Sequence, residues 1–252
     1  MRKIAGIIFT IYAFAVFLLL MLLAFPFVLF ASLLGKIRGG NTIYDICRVW
    51  ADITLFMWGI NHKNYYDFPK STDHAVVFVF NHLSYIDIPL LLKVFRRQPI
   101  RILGKAEMTR IPIFGYIYKK AVVQVQRTST EARAKSVNEL KEMLKKNISV
   151  VIAPEGTFNT TDRPLKDFFD GAFKIAIETQ TSIQPVIFLD AYSRLNYSSI
   201  FSLTPGTSRA VFLEEVDISQ YGPPDVERLK QKVYGLMETA LVKYNAPWIK
   251  EY

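Results

Sequence analysis

The sequence contains very little cysteine and histidine. Cys47 is the one cysteine among 252 residues, and the three histidines are His62, His74 and His82. A single cysteine excludes an internal disulfide and any CxxC metal site, and it fits a reducing, cytoplasm-facing environment. Neither His62 nor His74 has an acidic or cysteine partner at the spacing of metal ligands. The sequence therefore predicts no metal site.

Charge is absent from one long stretch near the start of the chain. Residues 4–35 include no Asp, Glu, Lys or Arg, and basic residues flank the stretch on both sides. A cleavable signal peptide is disfavoured, because the apolar run continues unbroken past the cleavage-like string AFA at 13–15. The stretch is therefore expected to stay in the protein and to attach it to a membrane.

The length of this stretch and Pro26 bear on how it meets the membrane. As one helix it would measure about 48 Å, whereas the hydrocarbon core of a bilayer is about 30 Å thick. Pro26 should kink or break such a helix. Since the basic flanks give no preference for opposite sides, we expect a helical pair, broken at the proline, that enters one leaflet and returns; a tilted single span is the alternative. Either arrangement makes residues 1–40 a membrane anchor and residues 41–252 an α/β domain.

The net charge is strongly positive. Lys and Arg number 31 against 22 Asp and Glu, which gives a net charge of +9. The basic residues are scattered and no nucleic-acid-binding motif occurs, so nucleic acid is not expected as a partner. Next to a membrane anchor, attraction to anionic lipid headgroups explains the charge better. Membrane lipids are therefore the expected partners of the basic surface.

After the anchor, short apolar runs rich in β-branched and aromatic residues alternate with helical patterns. The continuous hydrophobicity of these runs is typical of strands that are covered on both faces. One helical pattern opens with Thr128 and has Glu131 three residues later, which is a capping box. The alternation predicts one α/β domain with a mostly parallel mixed sheet flanked by helices. The predicted strands are 75–80, 121–125, 148–153, 183–189 and 209–216, and the predicted helices are 45–60, 128–147 and 225–244.

Polar residues follow three of the predicted strands directly. Asn81 and His82 come after the first strand, Arg127 after the second, and the string APEGTF (153–158) after the third. Ligands of open α/β sheets bind outside the carboxyl ends of the strands. We therefore expect these residues to converge at one edge of the sheet.

His82 and Asp87 are the candidate catalytic pair. On a regular helix, side chains five residues apart point about 140° away from each other, so the two can meet only if His82 lies in a turn before the helix. Pro89 favours this arrangement, because proline is tolerated in the first turn of a helix. Asp87 would then fix one imidazole nitrogen and leave the other as a general base. Alternatively, Asp87 caps the helix and His82 is an ordinary loop residue.

Five strings in the middle of the chain occur in an order that is specific to one protein family. NHLSYID (81–87) has the pattern N-H-x-x-x-x-D, and GKAEMTRIPIFG (104–115) and VVQVQR (122–127) follow it. PEGT (154–157) and IQPVIF (183–188) complete the series. Together the strings resemble the motif blocks of the 1-acylglycerol-3-phosphate acyltransferase family of glycerolipid acyltransferases.

The resemblance, over about residues 75–190, implies a reaction. The protein would move a fatty acyl group from an acyl-CoA or acyl-carrier-protein thioester to the free hydroxyl of a lysophospholipid, foremost lysophosphatidic acid, and it would need no cofactor. His82 would take the hydroxyl proton and Asp87 would steady the imidazolium. No acyl-enzyme is needed, in agreement with the lack of a G-x-S-x-G string. The residues implied to hold the acceptor headgroup are Lys105, Arg127, Glu155, Gly156 and Thr157.

Phe158 departs from the family pattern, which often has Arg directly after E-G-T. Without that cation, a different lysolipid such as a lyso-aminolipid becomes an alternative acceptor. A non-enzymatic alternative is a lipid-binding membrane protein that has lost catalysis, although such a protein would not need His82. For the main interpretation and for both alternatives, the expected location is the membrane, at the cytoplasmic face of the inner or plasma membrane.

Overall fold

The computed structural model describes residues 2–68, 74–96, 98–125 and 129–250. Within them, seven strands form one sheet in the order β1-β7-β6-β2-β5-β3-β4. The strands are β1 (Ile60–Tyr66), β2 (Val77–Phe80), β3 (Ile100–Lys105), β4 (Val123–Val125), β5 (Ser149–Ile152), β6 (Ile183–Phe188) and β7 (Gly206–Phe212). The α-helices are α1 (Arg2–Ser32), α2 (Gly40–Met57), α3 (Asp87–Val94), α4 (Phe114–Ala121), α5 (Thr130–Lys145), α6 (Gly171–Thr179), α7 (Ala191–Arg194) and α8 (Val226–Lys243).

The sheet is mostly parallel, as the sequence predicted. Five adjacent strands run parallel to one another, namely β6, β2, β5, β3 and β4. β7 pairs with β6 in the antiparallel direction, and β1 pairs parallel to β7. Every residue of β2 and β5 is buried, which explains their continuous hydrophobicity. Helices α1, α2 and α4 pack with one another, and α6 packs with both α5 and α8. The carboxyl ends of β2 and β5 therefore lie side by side at the centre of the sheet.

All five predicted strands are present, and two further strands were missed. The outer strand β1 reads INHKNYY; Ile60 is buried, and after it exposed residues alternate with half-buried ones. β3 reads IRILGK and includes a buried arginine, Arg101. The search for continuous apolar runs overlooks strands that have a polar face or a charged residue, because only strands covered on both faces produce such runs.

The N-terminal helix is not broken at Pro26. α1 is continuous from Arg2 to Ser32 with the proline inside it, so the predicted break was wrong. The chain reverses later, through a π-helical turn at Gly35–Gly39, where Gly35 adopts a φ of +78° that favours glycine. An antiparallel helical hairpin does result, but it consists of α1 and α2 rather than two halves of the apolar stretch. A neighbouring helix and an apolar environment can tolerate a proline within a helix.

The helical hairpin is held together by aromatic side chains. Trp58 Nε1 donates to the carbonyl of Ala13 at 2.9 Å, and Tyr12 Oη donates to the carbonyl of Met57 at 3.3 Å. The ring of Phe17 lies edge-on to that of Trp50, at 4.9 Å between centroids. The predicted domain boundary at residue 40 separates α1 from α2, although the two helices pack against each other. The division of the chain into an anchor and a domain at this residue stays a prediction.

The outer face of the helical hairpin is apolar and exposed. The segment Ile4–Ser32 is long and apolar enough to cross a membrane by length and composition. Exposed apolar side chains occur on α2 as well as on α1. They include Ile4, Ile8, Ile11, Phe14, Leu19, Leu23, Phe27 and Phe30 on α1 and Val49, Ile53 and Phe56 on α2. This surface is consistent with membrane association.

The start of α5 differs by one residue from the predicted capping box. Thr128 lies outside the described residues, and the N-cap is Ser129, whose Oγ accepts from the backbone N–H of Ala132 at 3.1 Å. The other two predicted helices correspond to α2 and α8. The helix was thus predicted correctly, while the choice between two adjacent hydroxyl residues required the backbone geometry.

Candidate active site

The turn between β2 and α3 brings His82 and Asp87 into contact. His82 lies in the turn, and Asp87 is the first residue of α3. The distance from His82 Nδ1 to Asp87 Oδ2 is 2.8 Å. The same oxygen accepts the backbone N–H groups of Leu83 at 2.9 Å and of Ser84 at 3.1 Å. The carboxylate therefore holds the histidine and the backbone of the turn before α3. No side-chain hydrogen bond caps the start of α3, so of the two alternatives posed by the sequence the contact between His82 and Asp87 is the one observed.

These contacts fix the chemical form of the imidazole. The Asp87 side chain is fully buried, and an ionised carboxylate can only accept hydrogen bonds. The proton of a neutral imidazole is therefore on Nδ1, and Nε2 has a free lone pair. His82 Nε2 has no hydrogen-bond partner among the described residues. A free, basic nitrogen is what a general base requires.

The backbone around His82 is tied to two neighbouring segments. Its N–H donates to Glu155 Oε1 at 3.0 Å, and its carbonyl accepts the N–H of Asn159 at 2.7 Å. The side chain of Asn81 donates to the carbonyl of Phe188 and accepts the N–H of the same residue, at 3.0 and 2.7 Å. The turn therefore has a fixed position relative to β5 and β6.

Glu155 is buried and braces two loops. Its exposed fraction is 2 %, and its second carboxylate oxygen accepts the backbone N–H of Lys166 at 3.0 Å. Burial raises the pKa of this carboxyl to about 7, although the two backbone hydrogen bonds act in the opposite direction. The family resemblance had implied that Glu155 holds the headgroup of the lysolipid. In the structure both carboxylate oxygens instead accept backbone N–H groups of the protein.

The residues after Glu155 form the tight turn at the end of β5. Gly156 has a φ of +68°, and its N–H donates to the carbonyl of Ala153 at 3.0 Å. Thr157 Oγ1 accepts from Lys166 Nζ at 2.7 Å. The sequence analysis did not identify Lys166, because a lysine eleven residues beyond Glu155 and outside any motif gives no local signal.

Phe158 packs directly against His82. Its ring centroid lies 4.4 Å from that of His82 at an interplanar angle of 64°, and 4.9 Å from that of Tyr85 at 88°. On the other side, the ring of Phe80 lies 5.8 Å from the imidazole. The imidazole of His82 therefore contacts two aromatic rings, while its side chain stays 24 % exposed.

An apolar cavity of about 320 Å³ opens beside His82. Its walls come from β3, α4 and the helical hairpin as well as from the β2–α3 turn. Most of the lining side chains are aliphatic or aromatic, as in sites for apolar ligands. The lining residues include Met21, Ala24, Tyr44, Cys47, Trp50, Ile88, Leu91, Ile102, Leu103, Ile117, Tyr118, Val122 and Phe158. The cavity can therefore bury a chain-like apolar group next to the imidazole of His82.

The remaining predicted residues lie at different places. Lys105 is an exposed residue at the carboxyl end of β3, and Lys105, Gly156 and His82 all line the apolar cavity. Glu155 and Thr157 flank Gly156 in the sequence but do not line the cavity. Arg127 lies outside the described residues. Among the residues that the structure describes, no three His, Cys, Asp or Glu side chains come together as a metal site.

Comparisons with known proteins agree with this fold. The family model described as Acyltransferase matches residues 59–189. The chain is 30 % identical over 215 residues to the chloroplastic 1-acyl-sn-glycerol-3-phosphate acyltransferase LPAT1 of Arabidopsis thaliana, covering 83 % of this chain and 58 % of that protein. It is 27 % identical to the human 1-acyl-sn-glycerol-3-phosphate acyltransferase beta, covering 84 % and 77 %. The chain spans about half the length of the plant relatives it matches.

A solved structure shows the same fold. The crystal structure of the 1-acyl-sn-glycerophosphate (LPA) acyltransferase PlsC from Thermotoga maritima superimposes with a TM-score of 0.77 at 23 % identity, covering 99 % of this chain and 100 % of the other. The segment matched by the family model runs from the start of β1 to the end of β6 and is just over half of the chain. It includes His82, Asp87 and Glu155, and it shows that this protein belongs to the acyltransferase family.

Proposed function

We propose that the protein transfers a fatty acyl group from a thioester donor, acyl-CoA or acyl-carrier protein, to the free hydroxyl of lysophosphatidic acid, with phosphatidic acid as the product. The observation that supports this most is the contact between His82 and Asp87 in the wall of an apolar cavity, within a chain of the acyltransferase family. The relatives are named as 1-acyl-sn-glycerol-3-phosphate acyltransferases, which supports this acceptor.

The proposed reaction is a direct transfer. His82 Nε2 takes the proton of the acceptor hydroxyl while the hydroxyl oxygen bonds to the thioester carbonyl carbon. The Asp87 carboxylate, 2.8 Å from Nδ1, stabilises the imidazolium that forms. When the tetrahedral intermediate collapses, the carbon–sulfur bond breaks and the thiolate receives the proton from His82. The ester and the free thiol leave, and the imidazole is neutral again.

An acyl-enzyme route finds little support in the cavity. Cys47 lines it, but burial raises the pKa of the Cys47 thiol to about 12, so the thiol stays protonated and is a poor nucleophile. The Ser84 hydroxyl accepts the N–H of Ile86 at 3.2 Å within its own turn. Neither group contacts His82 in the way that a nucleophile contacts its base, and this favours direct attack by the acceptor hydroxyl over an acyl-enzyme intermediate.

The apolar cavity is the proposed site for the acyl chain. Burying a methylene group contributes about 0.8 kcal/mol, so an acyl chain that enters the cavity is held firmly. The thioester carbonyl would then lie next to His82. The developing oxyanion needs N–H donors. The Gly156 N–H is already donated to the carbonyl of Ala153, so the backbone near Gly104 is the proposed source of these donors.

The proposed headgroup site is the polar rim near Lys105, Gly156 and Thr157. Lys105 lines the cavity, and the ammonium of Lys166 contacts Thr157 one residue before Phe158. Lys105 and Lys166 are thus proposed to supply the positive charge that an arginine at the position of Phe158 often supplies in the family. Arg127 is the third proposed cation. Phe158 itself is apolar and packs on His82, which favours a lyso-aminolipid as the second candidate acceptor.

We place the enzyme at a membrane, with its catalytic domain on the cytoplasmic side. The apolar exposed face of the helical hairpin and the net charge of +9 support this location. The acceptor and the product are both membrane lipids, so a site next to the hairpin can exchange them without full desorption.

The decisive experiment is an acyl-transfer assay with the full chain. Acyl-CoA and acyl-carrier protein are each offered with lysophosphatidic acid, a lyso-aminolipid and other lysolipids, and the diacyl product is measured. His82→Ala should lower the rate about 10²–10⁴-fold, as for loss of a general base. His74→Ala, which removes an exposed histidine outside the cavity, is the matched control and should stay close to wild type. Lack of transfer to every lysolipid, or release of free fatty acid without acceptor, contradicts the proposal.

A further inference from the structure

A second and larger cavity lies at the other end of β3. Strand β4 pairs with β3 only at Leu103, Gly104 and Lys105, so the amino-terminal half of β3 has no neighbour on that side in the described part of the sheet. The cavity, about 530 Å³ in volume, occupies this open edge. It is enclosed by the turn of the helical hairpin, the end of α4 and one face of α5. We call it the edge cavity.

The edge cavity is strongly cationic. Five basic residues line it, and Glu139 is its only acidic lining residue. Glu139 pairs with Lys36 at 3.0 Å, and the other four cations have no ion-pair partner among the described residues. Such an excess of positive charge attracts an anion. The five basic residues are Lys36, Arg101, Lys119, Lys120 and Lys135.

Arg101 distinguishes this cavity from an ordinary basic surface. Its exposed fraction is 4 %, and its guanidinium donates only to neutral carbonyls, those of Ile100 at 2.7 Å and Ile37 at 3.3 Å. Carbonyl oxygens accept hydrogen bonds but do not neutralise a charge, and burial lowers the pKa of this guanidinium. Gly40 leaves room for the group, because a Cβ at this position would collide with it. The Tyr44 ring lies 5.4 Å from the guanidinium carbon, and the Glu139 carboxylate acts on the cation without forming an ion pair with it. A buried cation is therefore kept at the wall of a cavity with no ion-pair partner among the described residues.

The surface next to the edge cavity is apolar. Ser32 and Gly35 line the cavity, and the intervening Leu33 is 81 % exposed. Phe30, one turn of α1 away, is 73 % exposed. A ligand that combines an anionic group with hydrocarbon chains would match both surfaces at once, since the anion could enter the cavity while the chains cover the end of the hairpin.

We propose that the edge cavity binds the phosphate-bearing headgroup of an anionic membrane phospholipid, whose acyl chains lie on Phe30 and Leu33. Arginine and lysine are the usual partners of phosphate oxygens. The bound lipid would connect the hairpin turn, α4 and α5 through Lys36, Lys119 and Lys135. It is a resident lipid and not the acyl acceptor, because no residue of the turn that contains His82 lines the edge cavity, although Ala121 and Val122 line both cavities.

The nucleotide part of an acyl-CoA donor is the competing occupant, and the geometry disfavours it. Arg101 and Lys105 are four residues apart on β3, which corresponds to about 13 Å along a strand. Only Lys105 lines the cavity that contains His82. A nucleotide has no acyl chains and would leave the apolar surface beside the edge cavity uncovered.

Native mass spectrometry of the full chain in a neutral detergent tests this inference. Phosphatidylglycerol is the probe, and the His82→Ala background removes turnover, so that the result does not depend on the proposed activity. The chain should retain one phosphatidylglycerol. The double variant Lys119→Gln/Lys120→Gln should weaken this binding at least tenfold. Lys145→Gln/Lys146→Gln is the matched control, since it removes the same charge from exposed positions outside the cavity, and it should bind as the parent does.

Two competition arms identify the source of the phosphate. Phosphatidylcholine with the same chains should be retained much less, because it has no net charge. Inorganic phosphate and adenosine 3′,5′-bisphosphate should not displace phosphatidylglycerol at equal concentration. Equal retention of phosphatidylcholine, displacement by the nucleotide, or unchanged binding in the Lys119/Lys120 double variant would each overturn the proposal.

Discussion

A single carboxylate oxygen organises the catalytic turn at the residue scale. Asp87 Oδ2 accepts one imidazole and two backbone N–H groups, whereas Oδ1 is buried and has no hydrogen-bond partner among the described residues. All the organising contacts of the turn therefore depend on one oxygen atom. An amide at this position can keep these contacts through its carbonyl oxygen but has no charge to stabilise the imidazolium.

Asp87→Asn should therefore keep the fold and lower the rate of acyl transfer. The loss of rate should be no larger than that in His82→Ala. We expect kcat to fall while the KM of the acceptor changes little, because the side chain does not contact the acceptor. Steady-state kinetics together with thermal unfolding in detergent measure both effects. A variant with wild-type kcat would show that His82 acts without the help of a carboxylate.

Phe158 provides a test of the acceptor. If the acceptor is lysophosphatidic acid, Phe158→Arg should raise kcat/KM for it or leave it unchanged, because a charge-assisted hydrogen bond to phosphate contributes about 1.5–3 kcal/mol. Phe158→Leu is the control for loss of the aromatic contact with His82. If the natural acceptor has no phosphate monoester, the arginine is an unpaired cation beside the imidazole and the native reaction slows. The ratio of kcat/KM values on lysophosphatidic acid and a lyso-aminolipid separates the two cases.

Glu155 predicts a pH dependence of stability. The folded protein raises the pKa of this carboxyl from 4.5 to about 7. Between these values the folded state holds a proton that the unfolded state releases, so stability decreases as pH rises through this window, by about 3 kcal/mol in total, and levels off above it. Glu155→Gln should lack this decrease. Thermal unfolding of both proteins from pH 4.5 to 8 gives the comparison, and parallel curves would disprove the assignment.

At the scale of elements, the helical hairpin forms part of the cavity wall as well as an exposed apolar surface. Met21 and Ala24 of α1 and Trp50 of α2 line the apolar cavity next to His82. The hairpin also buries apolar side chains of α2, such as Leu55 and Ala51. Removal of α1 would therefore open the cavity and expose the inner face of α2.

Deletion of residues 1–34 should give a protein that aggregates and has little activity even on acceptor presented as monomers in detergent. The reason is that the cavity loses one wall, so the loss should not depend on attachment to a bilayer. Size-exclusion chromatography and assays with detergent-dispersed and bilayer-embedded acceptor measure the two effects. If the truncated protein is fully active on dispersed acceptor, α1 is an anchor only.

At the scale of the whole molecule, the apolar hairpin surface and the basic charge predict how the protein meets a bilayer. The full chain should bind vesicles that contain phosphatidylglycerol more tightly than vesicles of phosphatidylcholine alone, and added salt should reduce this difference, because electrostatic attraction to the surface is screened. Flotation assays over a range of ionic strength measure the effect. Equal binding to both vesicle types would show that the apolar surface acts alone.

The sequence by itself determined the contact between His82 and Asp87, the five strands β2, β4, β5, β6 and β7, and the apolar start of the chain. Each has a local cause: Pro89 sets the start of α3, so that His82 must lie in the turn, and strands covered on both faces are apolar throughout. The motif order then indicated the family. These properties are written in short stretches of sequence, because neighbouring residues decide them.

Only the tertiary structure decided the properties that depend on distant segments. α1 stays continuous through Pro26 because α2 packs along it, and the reversal occurs at Gly35 instead. Glu155 became a brace because its two oxygens meet backbone N–H groups from the turn of His82 and from Lys166. The edge cavity exists because β4 covers only half of β3. No local pattern encodes these contacts, since each joins residues that are far apart in the chain and meet only when the sheet has formed.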